Sequence, residues 1–148
     1  MTQFRIDVLL FGSMAMNAAL LLFIAGVLGK TMNDMQEDSF QHFLSSFVNH
    51  SSRSPVMITM LNLPAIGGAF YLYQYGFGNR WMVAALICWI MGGAAGKIYK
   101  VPLYRRIAKL PSEDIQQLAA ERMRLNAANM GHAACNCVAL ALALTAVT

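Results

Sequence analysis

The run VLLFGSMAMNAALLLFIAGVLG, from Val8 to Gly29, contains no charged residue over 22 positions. A helix needs roughly 20 apolar residues to cross the hydrocarbon core of a bilayer, so this run is long enough to form one membrane span. Three more uncharged runs follow it: Ser54–Asn79, Trp81–Gly96 and Leu125–Thr148. The sequence therefore predicts an all-α fold, a four-helix transmembrane bundle, in one integral membrane domain over residues 1–148.

We expect spans and cytoplasmic loops with these bounds: spans at 8–29, 54–77, 80–99 and 125–147, loops at 30–53 and 100–124. The third uncharged run is the shortest, but Lys97 and Lys100 can extend to the headgroups, which lets that span continue to about Tyr99. The composition, 57% hydrophobic and 12% charged, lies outside the usual range for soluble domains. It disfavours the alternative, a soluble core of four buried helices.

Basic residues are distributed unequally among the connections. Seven lie between the end of the third run and the start of the fourth: Lys97, Lys100, Arg105, Arg106, Lys109, Arg122 and Arg124. The turn between the second and third spans holds only Arg80. The positive-inside rule then predicts that the basic segment is cytoplasmic and that both termini lie outside the cytoplasm, as in a bacterial inner-membrane protein. The basic segment suits anionic lipid, so we expect the lipid bilayer, and no nucleic acid, as its partner.

No small-residue cleavage motif follows the first apolar run, so we expect this run to remain as the first span rather than to be removed as a signal peptide. The cytoplasmic loop after it is amphipathic. Its apolar residues share about half of a helical wheel: Met32, Met35, Phe40, Phe43, Leu44 and Phe47. This pattern predicts an amphipathic interfacial helix between spans one and two, which lies on the membrane surface or caps the bundle. His42 falls on the polar side and is predicted to be solvated; His50 falls on the apolar side, where a bundle-facing role is left open.

Prolines and glycines predict local features of the helices. Pro64 lacks an N–H and should weaken the second span near Asn62. Gly92 and Gly96 are spaced for close helix approach. The sequence Ser112, Glu113, Asp114, after Pro111, is typical of a helix start, and we expect that helix to be continuous with the fourth span or only slightly offset from it.

One polar stripe runs along the fourth span. Arg122, Asn126, Asn129 and Asn136 fall within about 80° of one another on a helical wheel, and His132 lies at the edge of that arc. Polar side chains are costly in hydrocarbon, so the stripe should face other helices or a hydrated cavity.

Depth in the membrane suggests that polar residues of different spans meet. Counted from the cytoplasmic ends, Asn62 and His132 are about equally deep, and so are Asn17 and Asn136, at roughly 10 and 17 Å. We therefore predict a polar pocket that opens toward the cytoplasmic leaflet and ends near mid-membrane. The alternative is that the asparagines only bridge helices by hydrogen bonds.

The cysteines and the possible metal ligands do not form a motif typical of a metal site or a thiol redox site. The C-N-C spacing places Cys135 and Cys137 about 200° apart on a helix, unlike the C-x-x-C of thiol redox and metal motifs. The predicted pocket has one histidine and no carboxylate, and the eleven methionines are scattered. We expect no metal and no cofactor.

Two segments carry a resemblance to a known family. KVPLYRRIAKLP, residues 100–111, is followed after about ten residues by ERMRLNAANMGHA, residues 121–133. Together they resemble the anthrone oxygenase-like family of small four-helix integral membrane proteins. That family carries a V-P-L-N-type motif after the third span and an R-x-x-W-N-x-x-R-type motif opening the fourth. Val101, Pro102 and Leu103 match the first motif, and Asn126 matches the asparagine of the second.

Three positions depart from those motifs. Tyr104 stands where the family often has asparagine, Leu125 replaces the tryptophan, and Asn129 replaces the second arginine. The resemblance implies a cofactor-free oxygenase, since some members of the family look like enzymes that turn anthrones into anthraquinones. The membrane transferases for glutathione and eicosanoids are similar in size, but residues 54–62 do not supply their R-x-x-R-A-H-x-N-x-x-E motif.

Three functions follow as hypotheses. In the first, an enzyme binds an apolar phenolic or anthrone-like substrate, His132 acts as general base, and asparagine amides stabilise the oxyanion. Its predicted catalytic residues are His132, Asn129 and Asn126, and its predicted substrate-binding residues are Asn62, Asn17, Asn136 and Arg122. In the second, the protein is an accessory or binding subunit that holds a lipid, quinone or other hydrophobic small molecule, as a homo-oligomer or in a larger membrane complex. A transporter ranks last, because the central parts of the spans carry no charge.

Overall fold

The computed structural model describes residues 3–111 and 113–148. Over these residues the chain is helical and contains no strand, which confirms the all-α prediction. The first helix, α1, consists of three consecutive segments: α-helical Gln3–Leu22, π-helical Phe23–Leu28 and α-helical Gly29–Asn33. Four helices follow it: α2 (Glu37–Arg53), α3 (Pro55–Tyr75), α4 (Arg80–Ile107) and α5 (Ile115–Val147).

Within the described residues, four helices are long and apolar enough to cross a membrane: Phe4–Asn33, Pro55–Tyr75, Arg80–Ile107 and Ile115–Val147. The amphipathic α2 lies between the first two of them. The predicted bundle of four apolar helices with one amphipathic helix is therefore confirmed, and it is consistent with an integral membrane protein.

Side-chain caps fix the helix ends at the connections. Ser54 Oγ accepts from the backbone N–H of Met57 at the start of α3, and Asn79 Oδ1 accepts from the N–H groups of Trp81 and Met82 at the start of α4. Gly76 ends α3 with φ of 65°, a conformation that other residues rarely adopt.

The same kind of cap begins α5. Asp114 Oδ1 accepts from the N–H of Gln117, so the acidic helix start predicted from the sequence is present at Asp114. Ser112, which belongs to the same prediction, lies outside the described residues. From Ile115 onward, α5 runs without a break into the fourth apolar segment, as expected.

Helices α4 and α5 pack closely along their length because glycines line the contact. A Cβ built on Gly92 would stand 2.9 Å from the Cβ of Cys135, and one built on Gly96 would stand 2.9 Å from His132 Nδ1. Both distances are shorter than van der Waals contact, so a side chain at either position would force its neighbour on α5 to move. The close approach predicted for Gly92 and Gly96 is confirmed.

The other two apolar helices complete the bundle differently. Helix α1 packs on α5 and on α3, whereas α3 packs on α1 and α2. Near the Gly76–Asn79 turn, Tyr71 of α3 and Met82 of α4 share one apolar core with Leu10 and Met14 of α1. Further from this turn a cleft separates α3 from α4, and its walls are described below.

Helix α2 caps the opposite end of the bundle. Its Phe40 and Leu44 are buried in a second apolar cluster with Ile107 of α4 and Leu118 of α5. Gln41 Nε2 donates to the carbonyls of Ile107 and Leu110, at 2.8 Å each, where α4 ends. The predicted amphipathic helix is therefore a cap packed on α4 and α5.

Three helices extend beyond the spans predicted from the sequence: α1, predicted over 8–29, runs from Gln3 to Asn33, and α4 and α5 are also longer. Helix α4 continues through Pro102 to Ile107, because the buried side chains of Leu103 and Ile107 pack there. With α5 starting at Ile115, the predicted loop 100–124 reduces to residues 108–114. The π-helical segment of α1 has no counterpart in the predictions; such segments are common at functional positions in helices.

Candidate functional site

The cleft between α3 and α4 encloses about 520 Å3, a volume within the usual range for small-molecule sites. All four apolar helices contribute to its walls: Asn17, Leu61, Asn62, Trp89, Ile90, Gly93, Ala94, Gly96, Lys97, Lys100, Val101, Tyr104 and His132. Of the seven predicted site residues, the structure brings three together here, Asn17, Asn62 and His132.

Lys100 and His132 form a polar pair in this cleft. Lys100 Nζ lies 2.9 Å from His132 Nδ1. An ammonium has only protons to offer, so when Lys100 is charged this contact requires an unprotonated Nδ1 and leaves the imidazole proton on Nε2. The imidazole ring rests on the backbone of α4 at Gly96, one helical turn before Lys100, so the two residues approach His132 from the same face of α4.

A second lysine, Lys97, lies next to Lys100 on the face of α4 that lines the cleft. Lys97, Lys100 and Tyr104 recur at three- and four-residue spacing and therefore share one helix face. Among the described residues no carboxylate forms an ion pair with either lysine. In the part of the chain that the structure describes, the amino groups of the cleft therefore have no acidic partner.

The two asparagines in the cleft are anchored by backbone carbonyls. Asn17 is buried, and its Nδ2 donates to the carbonyl of Met60 at 3.2 Å, which ties α1 to α3. Asn62 Nδ2 donates to the carbonyl of Ile58 at 2.7 Å. Each amide keeps an oxygen that accepts no hydrogen bond from the described residues, so both can still accept one from a ligand.

The three asparagines of the α5 stripe lie outside the cleft lining. Asn126 Nδ2 donates to Asn33 Oδ1 at 2.7 Å, and its own Oδ1 lies 3.3 Å from the Cβ position of Gly29. Asn129 and Asn136 are buried, and Asn136 Nδ2 donates to the carbonyl of His132. These three predicted site residues are not among those that line the cleft: Asn126 contacts the end of α1, and Asn136 Nδ2 lies 3.3 Å from the Cβ position of Gly92 on α4.

Arg122, predicted to bind substrate, instead holds the cap. Its Nη1 donates to the carbonyls of Asn33 and Met35 at 3.2 Å each, and its Nη2 lies 3.5 Å from Glu37 Oε1. The guanidinium also stacks over the ring of Phe40, 4.3 Å from its centroid. Arg122 therefore joins the end of α1 and the start of α2 to α5, outside the cleft.

The other histidines and the cysteines do not join the cleft. His42 and His50 are exposed, and His50 Nδ1 pairs with the carbonyl of Ser46 on its own helix at 2.8 Å. The cysteines are free thiols; Cys88 Sγ donates to the carbonyl of Cys135. Across residues 3–111 and 113–148, no three histidine, cysteine or acidic side chains gather as a metal site would require.

Lys100 is the functional candidate that sequence reasoning missed. It was predicted to extend to the headgroups and mark the end of a span, yet its ammonium meets His132 instead. A signal was present: Lys100 lies four residues after Gly96, so a helix continuing past Tyr99 would place it beside whatever packs on that glycine.

Comparison with known proteins found no family model, no curated protein and no solved structure that matches this chain.

Replacing Gly96 by alanine should displace His132. The new Cβ would stand 2.9 Å from Nδ1 and 3.1 Å from Cε1, so the ring must move and the contact with Lys100 breaks. We expect the histidine side-chain resonances in NMR spectra to shift and lose their dependence on Lys100. Gly131→Ala, next to His132 but with open space at its Cβ, is the matched control and should leave these resonances in place. Unchanged histidine resonances in Gly96→Ala would contradict the packing of the His132 ring against Gly96.

Proposed function

We propose that this chain is an integral membrane protein whose cleft binds an apolar small molecule that carries an acidic hydroxyl or enol group. The Lys100–His132 pair, set in a cleft with largely apolar walls, is the observation that carries the proposal. Charge near hydrocarbon is costly unless it is paired, and neither cleft lysine has an acidic partner among the described residues. An anionic oxygen of a bound ligand would supply that partner.

The orientation of the protein belongs to the same proposal. The basic segment between the third and fourth spans places α2 and the basic side of the cleft at the cytoplasmic face, in a membrane of the bacterial inner-membrane type. Both termini then lie outside the cytoplasm. The ligand reaches the cleft from the bilayer, because α3 and α4 are separated there and Ile90 and Val101 on α4 are exposed.

The reaction we propose is cofactor-independent oxygenation, the activity implied by the resemblance to anthrone oxygenase-like proteins. When Lys100 is an uncharged amine and His132 carries its proton on Nδ1, Nε2 can take a proton from the acidic substrate. The Nδ1 proton then passes to Lys100, and the resulting ammonium faces the substrate anion. The anion reacts with dioxygen to give a hydroperoxide, which loses water; overall a CH2 group and O2 become a ketone and H2O.

The lining of the cleft changes which residues we propose for stabilising the substrate oxygen. Asn126 and Asn129 do not line the cleft, so the proposal assigns stabilisation of the substrate oxygen to Lys100 and to Asn62. Asn17 holds α3 in place through Met60 and borders the site.

The test is turnover of an anthrone by purified protein in nanodiscs, followed by oxygen uptake and anthraquinone absorbance. We expect His132→Ala to lower the rate at least about a hundredfold, as removal of a general base does, and Lys100→Met to do the same. The matched controls are His50→Ala and Lys109→Met, both exposed and outside the cleft, which should keep the wild-type rate.

Other outcomes separate the parts of the proposal. Anthrone binding that depends on Lys100 without any oxygen uptake would overturn the oxygenase and favour the accessory or binding subunit. A wild-type protein that neither binds nor oxidises the anthrone would overturn the binding proposal as well.

A further inference from the structure

The walls of the cleft change in polarity from one end to the other. Trp89 and Ile90 of α4 line one end. Lys97 and Lys100 line the other. We call these the apolar end and the basic end; along α4, Gly93 and Ala94 lie between them.

The cleft is also long. Its lining residues on α4 run from Trp89 to Tyr104, and a rise of 1.5 Å per residue makes this about 22 Å. A fused three-ring molecule is much shorter than this. Placed with its oxygen at Lys100 and His132, such a molecule would leave the apolar end of the cleft empty.

Resting on the proposed function, we infer that the cleft is built for a single-chain amphiphile: an acidic head at Lys100 and His132 and a long apolar chain that lies over Gly93 and reaches Trp89. The charge of the basic end selects the head, and the apolar end accepts the chain. The small residues Gly93 and Ala94 leave depth for the chain where the two ends join. The ligand class is thus an acidic amphiphile that bears one alkyl or isoprenoid chain, rather than a bare ring system; an acidic phenol or enol of this kind would be the substrate, and a fatty acid would be a ligand only.

The direction of the chain follows from the same contacts. Lys100 and His132 are fixed to each other and to Gly96, so the head has one place to pair. From there the chain can extend past Lys97 and Gly93 toward the Gly76–Asn79 turn, where the walls are apolar, whereas in the other direction the lining residues of α4 end at Tyr104, about one helical turn beyond Lys100.

A blocking substitution tests the path of the chain. A Cβ on Gly93 meets no heavy atom within 4 Å, so Gly93→Phe should fold normally and place its ring in the cleft. Gly131→Phe is the matched control, since Gly131 has the same open space but does not line the cleft. Equal thermal unfolding of the two variants and the wild type verifies that the block is local.

Trp89 supplies the readout. The chain has two tryptophans, so Trp81→Phe leaves Trp89 as the only indole. The probe is a fatty acid that carries a nitroxide near its methyl end, with the protein in phosphatidylcholine nanodiscs. The specific signal is the quenching of Trp89 fluorescence that an excess of unlabelled fatty acid removes. We expect Gly93→Phe to remove at least about nine-tenths of this specific quenching, Lys100→Met to do the same, and Gly131→Phe to retain it.

A tail-less aromatic acid separates the two proposals. If wild type and Gly93→Phe bind it equally in saturation-transfer NMR while Gly93→Phe alone loses the fatty acid, the inference is supported. If Gly93→Phe leaves the specific quenching unchanged, the chain does not follow this path and the inference is overturned, although the head site stands. If unlabelled phosphatidic acid removes the quenching as effectively as the fatty acid, the site does not select a single chain and the inference also fails. If the wild type binds neither the aromatic acid nor the fatty acid more tightly than Lys100→Met does, the proposed function itself is overturned.

Discussion

Replacement of Arg122 by methionine is expected to detach the α2 cap from the bundle. The guanidinium is buried and donates to two carbonyls at the end of α1, and it lies beside Glu37 and over Phe40. Methionine fills a similar volume but leaves those carbonyls and the carboxylate without their donor. We expect a loss of about 3 kcal/mol in the free energy that holds the cap in place.

Hydrogen exchange measures this loss directly. A change of about 3 kcal/mol corresponds to roughly hundredfold faster exchange of the α2 amides. The control is Arg124→Met: Arg124 lies 2.8 Å from Glu121, but its side chain is 63% exposed, so the expected cost is below about 1 kcal/mol. Equal exchange of α2 in the two variants would show that Arg122 does not hold the cap.

Replacement of Gly92 by leucine is expected to force α4 and α5 apart. The new Cβ would stand 2.9 Å from the Cβ of Cys135, and that atom is fixed to the backbone of α5, so no side-chain rotation relieves the clash. Overpacking of this kind costs about 1 to 3 kcal/mol, and here the whole helix pair must shift. Because His132 is seated against the same pair, the Lys100 contact and ligand binding should be lost as well.

The control for this variant is one residue away. Gly93→Leu adds the same side chain to the same helix but meets no heavy atom within 4 Å of its Cβ. Thermal unfolding in nanodiscs should therefore show a lower midpoint for Gly92→Leu and a midpoint near wild type for Gly93→Leu. Equal midpoints for the two leucine variants would be incompatible with the tight packing of α4 on α5.

Much of the fold could be predicted from the sequence because its signals are local. Uncharged runs that are long enough to span a membrane predict the four apolar helices. The apolar residues of 30–53 share about half of a helical wheel, and this pattern predicts the amphipathic cap. Glycine spacing marked the α4–α5 contact for the same reason, since a missing side chain permits close approach whichever helix is the neighbour. The extension of α4 past Pro102 could not be predicted, because it depends on packing against other helices: Ile107 is buried in one cluster with Phe40 and Leu44 of α2.

The candidate site was predicted only in part. The positions of the polar residues around the axis of α5 followed from the helical repeat. They do not show which neighbouring helix each side chain faces. Asn126 faces α1 and pairs with Asn33, whereas His132, at the edge of the same stripe, faces α4 and pairs with Lys100. Arg122 could equally have reached a ligand or a helix end, and only the position of the α1–α2 turn assigns it to the cap.

The four apolar helices and the polar side chains among them follow from the amino-acid sequence, because these properties depend on residues close together in the chain. The tertiary structure decided which polar groups meet. Lys100 pairs with His132 because glycines bring α4 and α5 together, and a cleft remains beside that pair because α3 packs on α1 and diverges from α4. Such pairings join residues far apart in sequence, and their geometry is set by helix packing, which no local pattern encodes.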